Sequence, residues 1–305
     1  PQELSDWGTR LVWFVVIGQM LTAIATMTVT AVERELEHLR SASALWGALD
    51  RQEFEVYFQP VVTMKDCNRV VGAEALVRWN DPTDGFLGPD DFIPLAEATG
   101  MVGAIDVWVL AKACAQAVEW LEDGLIDSTF KLSVNVAASE LDKPNYAELV
   151  AGVLAATGLD PKQLHLEITE RELADDVRQF LDTLHDLRRL GVKLALDDFG
   201  TGHSTLARVQ NLPLDVIKID RSFIATLGHG SDGGAIAENV VALARSLNVV
   251  TVAEGVETTA QAEMLRQMGC DLAQGYLFGQ AVPQDDFRLA LAATARESAE
   301  QRGLN

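Results

Sequence analysis

Apolar positions along this chain recur with two periods. From Phe54 onward, short runs rich in Val, Ile, Leu and Phe alternate with longer segments whose apolar residues return every three or four positions. The first pattern predicts strands and the second amphipathic helices. Strands are predicted over 54–62, 70–78, 130–136, 163–168, 192–197, 215–219, 249–253 and 270–274. Helices are predicted over 104–122, 145–157, 174–190, 204–210, 232–247, 258–268 and 284–295. Near-continuous runs such as Val249 to Ala253 suit strands covered on both faces. Eight strands alternating with helices over about 250 residues predict an α/β fold, a (β/α)8 TIM-like barrel in one domain, with an open doubly wound sheet as the alternative.

A different pattern precedes the barrel. Leu11 to Val32 carries no charge and is long enough to cross a bilayer core of ~30 Å at ~1.5 Å per residue. Trp7 and Trp13 sit near one end, as interfacial aromatics do. The expectation is a transmembrane helix over 11–32, against a buried soluble helix, since its threonines and Gln19 make it less apolar than a typical span. Arg34, Arg40 and Arg51 follow it while only Arg10 precedes it, which puts the C-terminal part in the cytoplasm and the chain at the inner membrane. Glu3 and Asp6 before the run argue against a signal peptide. The sequence opens on Pro1, so further residues are expected upstream. The expected domains are a juxtamembrane segment 1–10, the span 11–32, a linker helix 33–50, the barrel 51–295 and a polar tail 296–305. Leu36, Leu39, Trp46 and Leu49 mark the linker's apolar face; it either transmits a signal or simply packs on the barrel.

Charge narrows the partners. A net charge of −21 excludes nucleic-acid polymers as bulk partners, because phosphate backbones are gripped by clustered Lys and Arg. An anionic substrate then requires cations. Cys67, Cys114 and Cys270 lack metal-ligand spacing and read as core residues of a protein in a reducing compartment. His38, His165, His185, His203 and His229 do not cluster and read as surface or packing residues.

The chemistry concentrates around Leu194 to Gly202, LALDDFGTG, where a strand runs into two adjacent aspartates and a glycine-containing loop. Strand alternation turns Asp197 and Asp198 to opposite sides of the backbone. Neighbouring carboxylates are costly without a cation between them; the plainer reading is an acidic turn capping the next helix. The other strands decide between these. Glu74, Asn135, Glu167, Asp197, Lys218 and Glu254 each fall at or near the C-terminal end of an apolar strand, the end that carries active sites in a barrel. Glu, Asn and Asp oxygens favour hard cations, Mg²⁺ or Mn²⁺, over Zn²⁺. Together with Lys218 and Arg78 they predict metal-assisted hydrolysis of a phosphate ester.

Glu74-Ala75-Leu76-Val77-Arg78-Trp79 resembles the signature of the EAL domain, the cyclic di-GMP phosphodiesterases. The resemblance continues through Phe58-Gln59-Pro60, Phe92-Ile93-Pro94-Leu95-Ala96-Glu97, Ser133-Val134-Asn135, Glu167-Ile168-Thr169-Glu170, Asp197 to Gly202, Lys218-Ile219-Asp220-Arg221, Ala253 to Glu257 and Gln274-Gly275-Tyr276, across about residues 50–290. It implies a barrel with an antiparallel first strand that opens one phosphodiester of cyclic di-GMP to give linear pGpG. It implies two Mg²⁺ or Mn²⁺ ions, one held by Glu74, Asn135, Glu167 and Asp197, with Asp197 bridging to a second held by Asp198. It further implies Glu254 as the acid near the attacking water, either general base or second-metal contact, and Lys218 as the lysine that orients water and stabilises charge. Glu170 and Glu257 would steady the loop after Asp198, and Gln59, Leu76 and Arg78 would contact substrate. A homodimer is implied as well, and the span followed by a helix resembles membrane-bound phosphodiesterases with an upstream periplasmic sensor. His203 departs from the tyrosine usual there. The rival readings are a catalytically silent cyclic di-GMP receptor, a membrane scaffold and an enzyme for another phosphodiester.

Overall fold

A computed structural model describes residues 19–20, 22, 26–29, 41–65, 69–170, 177–200, 209–228 and 233–303. Eight strands close into a barrel: β1 (Phe54–Thr63), β2 (Val70–Asp81), β4 (Lys131–Asn135), β5 (Leu164–Thr169), β6 (Lys193–Phe199), β7 (Val216–Ile219), β8 (Val250–Ala253) and β9 (Leu272–Gln274). Pairing from β2 through β4 to β9 is parallel throughout. β1 pairs antiparallel with both β2 and β9 and closes the ring, so the first strand is the atypical one expected. Closure removes the open-sheet alternative.

All eight predicted strands are present, but β2 runs to Asp81 rather than ending at 78. Two short strands were not anticipated, β3 (Gly85–Leu87) antiparallel to the end of β2 and β10 (Val282–Pro283) beside β1. The extension lifts a β1–β2–β3 wall above the barrel rim.

Alternation along β1 explains how one strand serves two environments. Phe58 faces outward, where its ring lies 4.7 Å from Trp120 and 5.9 Å from Phe287. These rings tie β1 to the helices Val102–Glu122 and Gln284–Gly303, and burying each phenylalanine contributes about 2 kcal/mol. Gln59 and Val61, of the opposite parity, face the barrel interior. Val61, Ala195, Val216, Val252 and Leu272 form an apolar cluster in that interior. Lys131, Ser133 and His165 line the same space, beneath Glu167 and Lys218 at the strands' C-terminal ends.

Several helices depart from expectation. Residues 41–50 are helical, but Leu45 and Ala48 are the residues buried against the barrel, while Trp46 is 55% exposed. The inward face is thus rotated from the expected one; Leu49 stays on it. The helix Pro89–Ala98, which carries Pro94 in its interior, lies outside the predicted elements. Pro89 occupies the first helical position, where no N–H is needed, and the Asp91 carboxylate accepts the Gly88 N–H at 2.9 Å. The short helices Ala138–Leu141 and Arg221–Ala225 were missed as well. The last helix continues to Gly303, through residues expected to form a tail.

Among the described residues no helix is long and apolar enough to cross a membrane, and most of 11–32 lies outside them. The 33–40 half of the linker, Cys67 and the loop 201–208 with His203 lie outside them too, as does most of the predicted helix 204–210. Cys114 and Cys270 are free and buried, and burial pushes their thiols up to about 12 and about 11.

Candidate active site

Lys218 is the centre of the barrel's upper interior. It sits one residue before the end of β7 and is 1% exposed. Its Nζ lies 2.5 Å from Glu167 Oε2, 2.7 Å from Glu254 Oε1, 3.1 Å from Asp197 Oδ2 and 3.4 Å from Glu74 Oε2. Strands β2, β5, β6 and β7, and the turn after β8, therefore converge on one ammonium. Asn135, at the exposed end of β4, donates from Nδ2 to Glu74 Oε1 at 2.8 Å. Glu74 lies at this level although β2 runs seven residues past it, because parallel register pairs it with Ser133.

The acids outnumber the cation that holds them. Burial would lower the Lys218 pKa, but Asp197, Glu167, Glu254 and Glu74 hold the ammonium charged and well above the ordinary lysine range. Burial would likewise raise Glu74; Lys218 and hydrogen bonds from Gln274 and Asn135 outweigh it and keep that carboxyl low. Glu167 goes the other way: burial and its neighbours Glu74 and Asp197 raise it well above the carboxylate range despite Lys218. Glu254 is pushed up to about 8, by burial first and then by Asp197 and Glu74, against the pull of Lys218. Asp198 rises to about 6, through burial and then Asp197 and Asp220. Carboxyls that hold protons around a single lysine are short of positive charge.

The two adjacent aspartates do not alternate as a flat strand requires. Leu196 pairs with Ile217 and Phe199 with Ile219, so β6 carries one residue more than β7 between these pairs and bulges at Asp197–Asp198. Asp198 takes φ 53°, in the left-handed region that Asp tolerates better than most residues. Its N–H donates to Asp197 Oδ1 at 2.8 Å. Both carboxylates are consequently re-aimed to the same mouth: oxygens of Asp197, Asp198 and Glu254 all lie within 4.8 Å of one another. This corrects the expectation that the pair faces opposite sides. The donors are hard oxygens within reach of one centre, which fits a divalent cation of the Mg²⁺ or Mn²⁺ kind.

The family described as EAL domain matches residues 42–281. The chain belongs to the EAL-domain family. It is 40% identical over 256 residues to the bifunctional diguanylate cyclase/cyclic di-GMP phosphodiesterase MucR of Pseudomonas aeruginosa, covering 84% of this chain and 37% of MucR. It is 41% identical over 250 residues to the cyclic di-GMP phosphodiesterase NbdA of the same organism, covering 82% of this chain and 32% of NbdA. The chain spans about a third of the length of these relatives. A solved MucR phosphodiesterase in complex with c-di-GMP superposes with a TM-score of 0.77 at 39% identity, over 81% of this chain and 99% of that one.

Within this EAL domain, the remaining candidates divide by place. Gln59 reaches the acid cluster through Gln274, whose Nε2 donates to Gln59 Oε1 at 2.9 Å and to Glu74 Oε2 at 2.7 Å. Leu76 and Arg78 stand above Glu74 on the extended part of β2, both part-buried. Glu170 is buried and accepts the Gly200 N–H at 2.8 Å, anchoring the exit from β6. Glu257 is exposed, with its backbone N–H donated to Gln261; the loop it would steady lies outside the described residues.

Two residues that the sequence reading quoted without a role also belong to the EAL mouth. Gln274 ends β9 and bridges Gln59 to Glu74; its place at a strand end was the available signal. Asp220 caps the helix Arg221–Ala225 by accepting the Ser222 N–H at 3.0 Å, and its side chain faces Asp198. Nothing in the sequence distinguished it from an ordinary cap.

Proposed function

We propose that this EAL domain hydrolyses one phosphodiester bond of cyclic di-GMP to linear pGpG, lowering the level of a second messenger. The observation that carries this reading is the gathering of Glu74, Glu167, Asp197 and Glu254 around the Lys218 ammonium, with Asn135 and Asp198 at the same mouth. Family membership and the names of MucR and NbdA support the choice of substrate.

In this reading Glu74, Asn135, Glu167 and Asp197 would hold one Mg²⁺ or Mn²⁺, and Asp197 with Asp198 would hold a second. When bound, such ions lower the pKa of water and offset charge on the phosphoryl oxygens. Glu254 takes the proton of the attacking water. Cations bound beside it would favour its carboxylate form, the form a general base needs. Lys218, held charged by its carboxylates, orients that water and offsets the growing negative charge. Gln59, Leu76 and Arg78 orient the dinucleotide from the β1–β2 side, and Glu170 and Glu257 steady the loop after Asp198.

The finer proposals are a homodimer and anchoring through residues 11–32 at the inner membrane, with the barrel in the cytoplasm. They rest on the family resemblance and on the uncharged run. The test of function is incubation of the purified chain with cyclic di-GMP and Mg²⁺ or Mn²⁺, with chelator in parallel, resolving products by chromatography. Linear pGpG formed only with metal supports the enzyme. Tight binding without product supports a silent receptor instead.

A further inference from the structure

The wall above the catalytic mouth has an inner face that the cross-strand register defines. Gln59 pairs with Glu74, Tyr57 with Leu76 and Glu55 with Arg78 across β1 and β2; Asn80 then pairs with Phe86 across β2 and β3. Paired residues share a face, and so do residues two apart on one strand, so these eight side chains lie on one continuous surface. That surface begins at the acid cluster and climbs away from it. The Asn80 amide donates to Glu55 Oε1 at 2.7 Å, as two neighbours on one face can.

Tyr57 and Phe86 form an aromatic pair on this surface, with ring centroids 5.5 Å apart and planes at 54°. The Arg78 guanidinium carbon lies 5.6 Å from the Tyr57 ring centre. Phe86 is 55% exposed, so its ring lies outside the core and is open to a ligand above the wall. Tyr57 stands one ladder step, ~7 Å of strand, beyond the Gln59–Glu74 pair. Flat rings beside a guanidinium suit a nucleobase: aromatic faces stack any base, and the arginine fork matches the O6 and N7 edge of guanine.

We infer that Tyr57 and Phe86 are substrate-positioning residues that receive a base of the cyclic dinucleotide, beside Arg78, while its phosphate sits at the acid cluster. This inference rests on the proposed function. The base would be held by stacking on the ring pair, and the dinucleotide's position over the mouth would be set from the β1–β2–β3 side.

Steady-state kinetics on cyclic di-GMP with the full chain test this. Phe86→Ala and Tyr57→Ala should each raise KM about tenfold with kcat within about twofold, a scale expected for losing one stacked base. Tyr57→Phe and Phe86→Tyr, which keep the rings, should retain the wild-type KM. A cyclic dinucleotide carrying 2-aminopurine in place of one guanine should be quenched on binding to wild type and stay bright with Phe86→Ala. Phe86 is exposed, so its replacement leaves the core intact. If wild type cuts cyclic di-GMP and both alanine variants keep its KM, the aromatic role is overturned while the phosphodiesterase stands. If wild type neither binds nor cuts cyclic di-GMP, both fall.

Discussion

The Lys218 ammonium lies 2.5 Å from Glu167 Oε2, with both side chains almost wholly buried. Three further carboxylates surround the same nitrogen, so the lysine is the cation that lets the acids be buried together. Replacing it removes a structural and a chemical function at once. Lys218→Ala should lower turnover about 10²- to 10³-fold, the usual loss for a group that offsets transition-state charge. It should also destabilise the metal-free chain by about 3 kcal/mol or more, through unpaired buried carboxylates. Thermal melts with and without Mg²⁺ check the second part: added Mg²⁺ should restore more stability to the variant than it adds to wild type. Equal shifts would contradict that role.

Asp198 combines a left-handed backbone with a carboxylate aimed at the mouth. Asn tolerates that backbone region as well as Asp, so Asp198→Asn removes charge without straining the bulge. The Mg²⁺ concentration giving half-maximal activity should rise at least about tenfold, a loss comparable to that on removing partners that support metal ligands. An unchanged Mg²⁺ titration would place Asp198 outside the metal set.

Metal binding should release protons. Without metal, Glu254 titrates at about 8 and Asp198 at about 6, so at pH 7 Glu254 is largely protonated. A cation favours the carboxylate forms, and its affinity should therefore rise as pH climbs from 6 to 8. Calorimetric titrations of Mg²⁺ in Pipes and in Tris at pH 7 should give different apparent enthalpies. Identical enthalpies would show that no proton leaves.

His165, on β5 at 8% exposure, gives the fold a separate response to acid. Burial, with Lys131 adding repulsion, lowers its pKa to about 4. The unfolded chain takes up this proton near 6.5 and the folded chain only near 4, so stability falls as pH drops through that window. The loss is about 3 kcal/mol in total, at ~1.4 kcal/mol per pKa unit, with no further contribution below pH 4. Urea midpoints at pH 7 and pH 4.5 should lie closer together in His165→Gln than in wild type. An equal separation would remove His165 from the acid response.

The barrel was legible because its strands are apolar runs bounded by polar turns, and a parallel sheet covered on both faces writes that pattern plainly. Glu74, Glu167, Asp197, Lys218 and Glu254 stood out as polar residues ending such runs. The bulge at Asp197–Asp198 did not, because an extra residue on β6 is defined only against the register of β7. Trp46 was misplaced for a related reason: in a short helix, one step of rotation decides between it and Leu45, and packing on the barrel settles that choice. The wall carrying Phe86 was missed because three residues of β3 are too few to show a period.

The most direct measurement is hydrolysis of cyclic di-GMP by the purified chain with Mg²⁺ in ¹⁸O-enriched water, followed by mass analysis of the product. Attack of a water at phosphorus, with the 3′ oxygen leaving, predicts linear pGpG carrying a single ¹⁸O in its terminal 5′-phosphate, and no product under chelation. Absence of linear product with metal present, or label found in a sugar hydroxyl rather than the phosphate, would contradict the account.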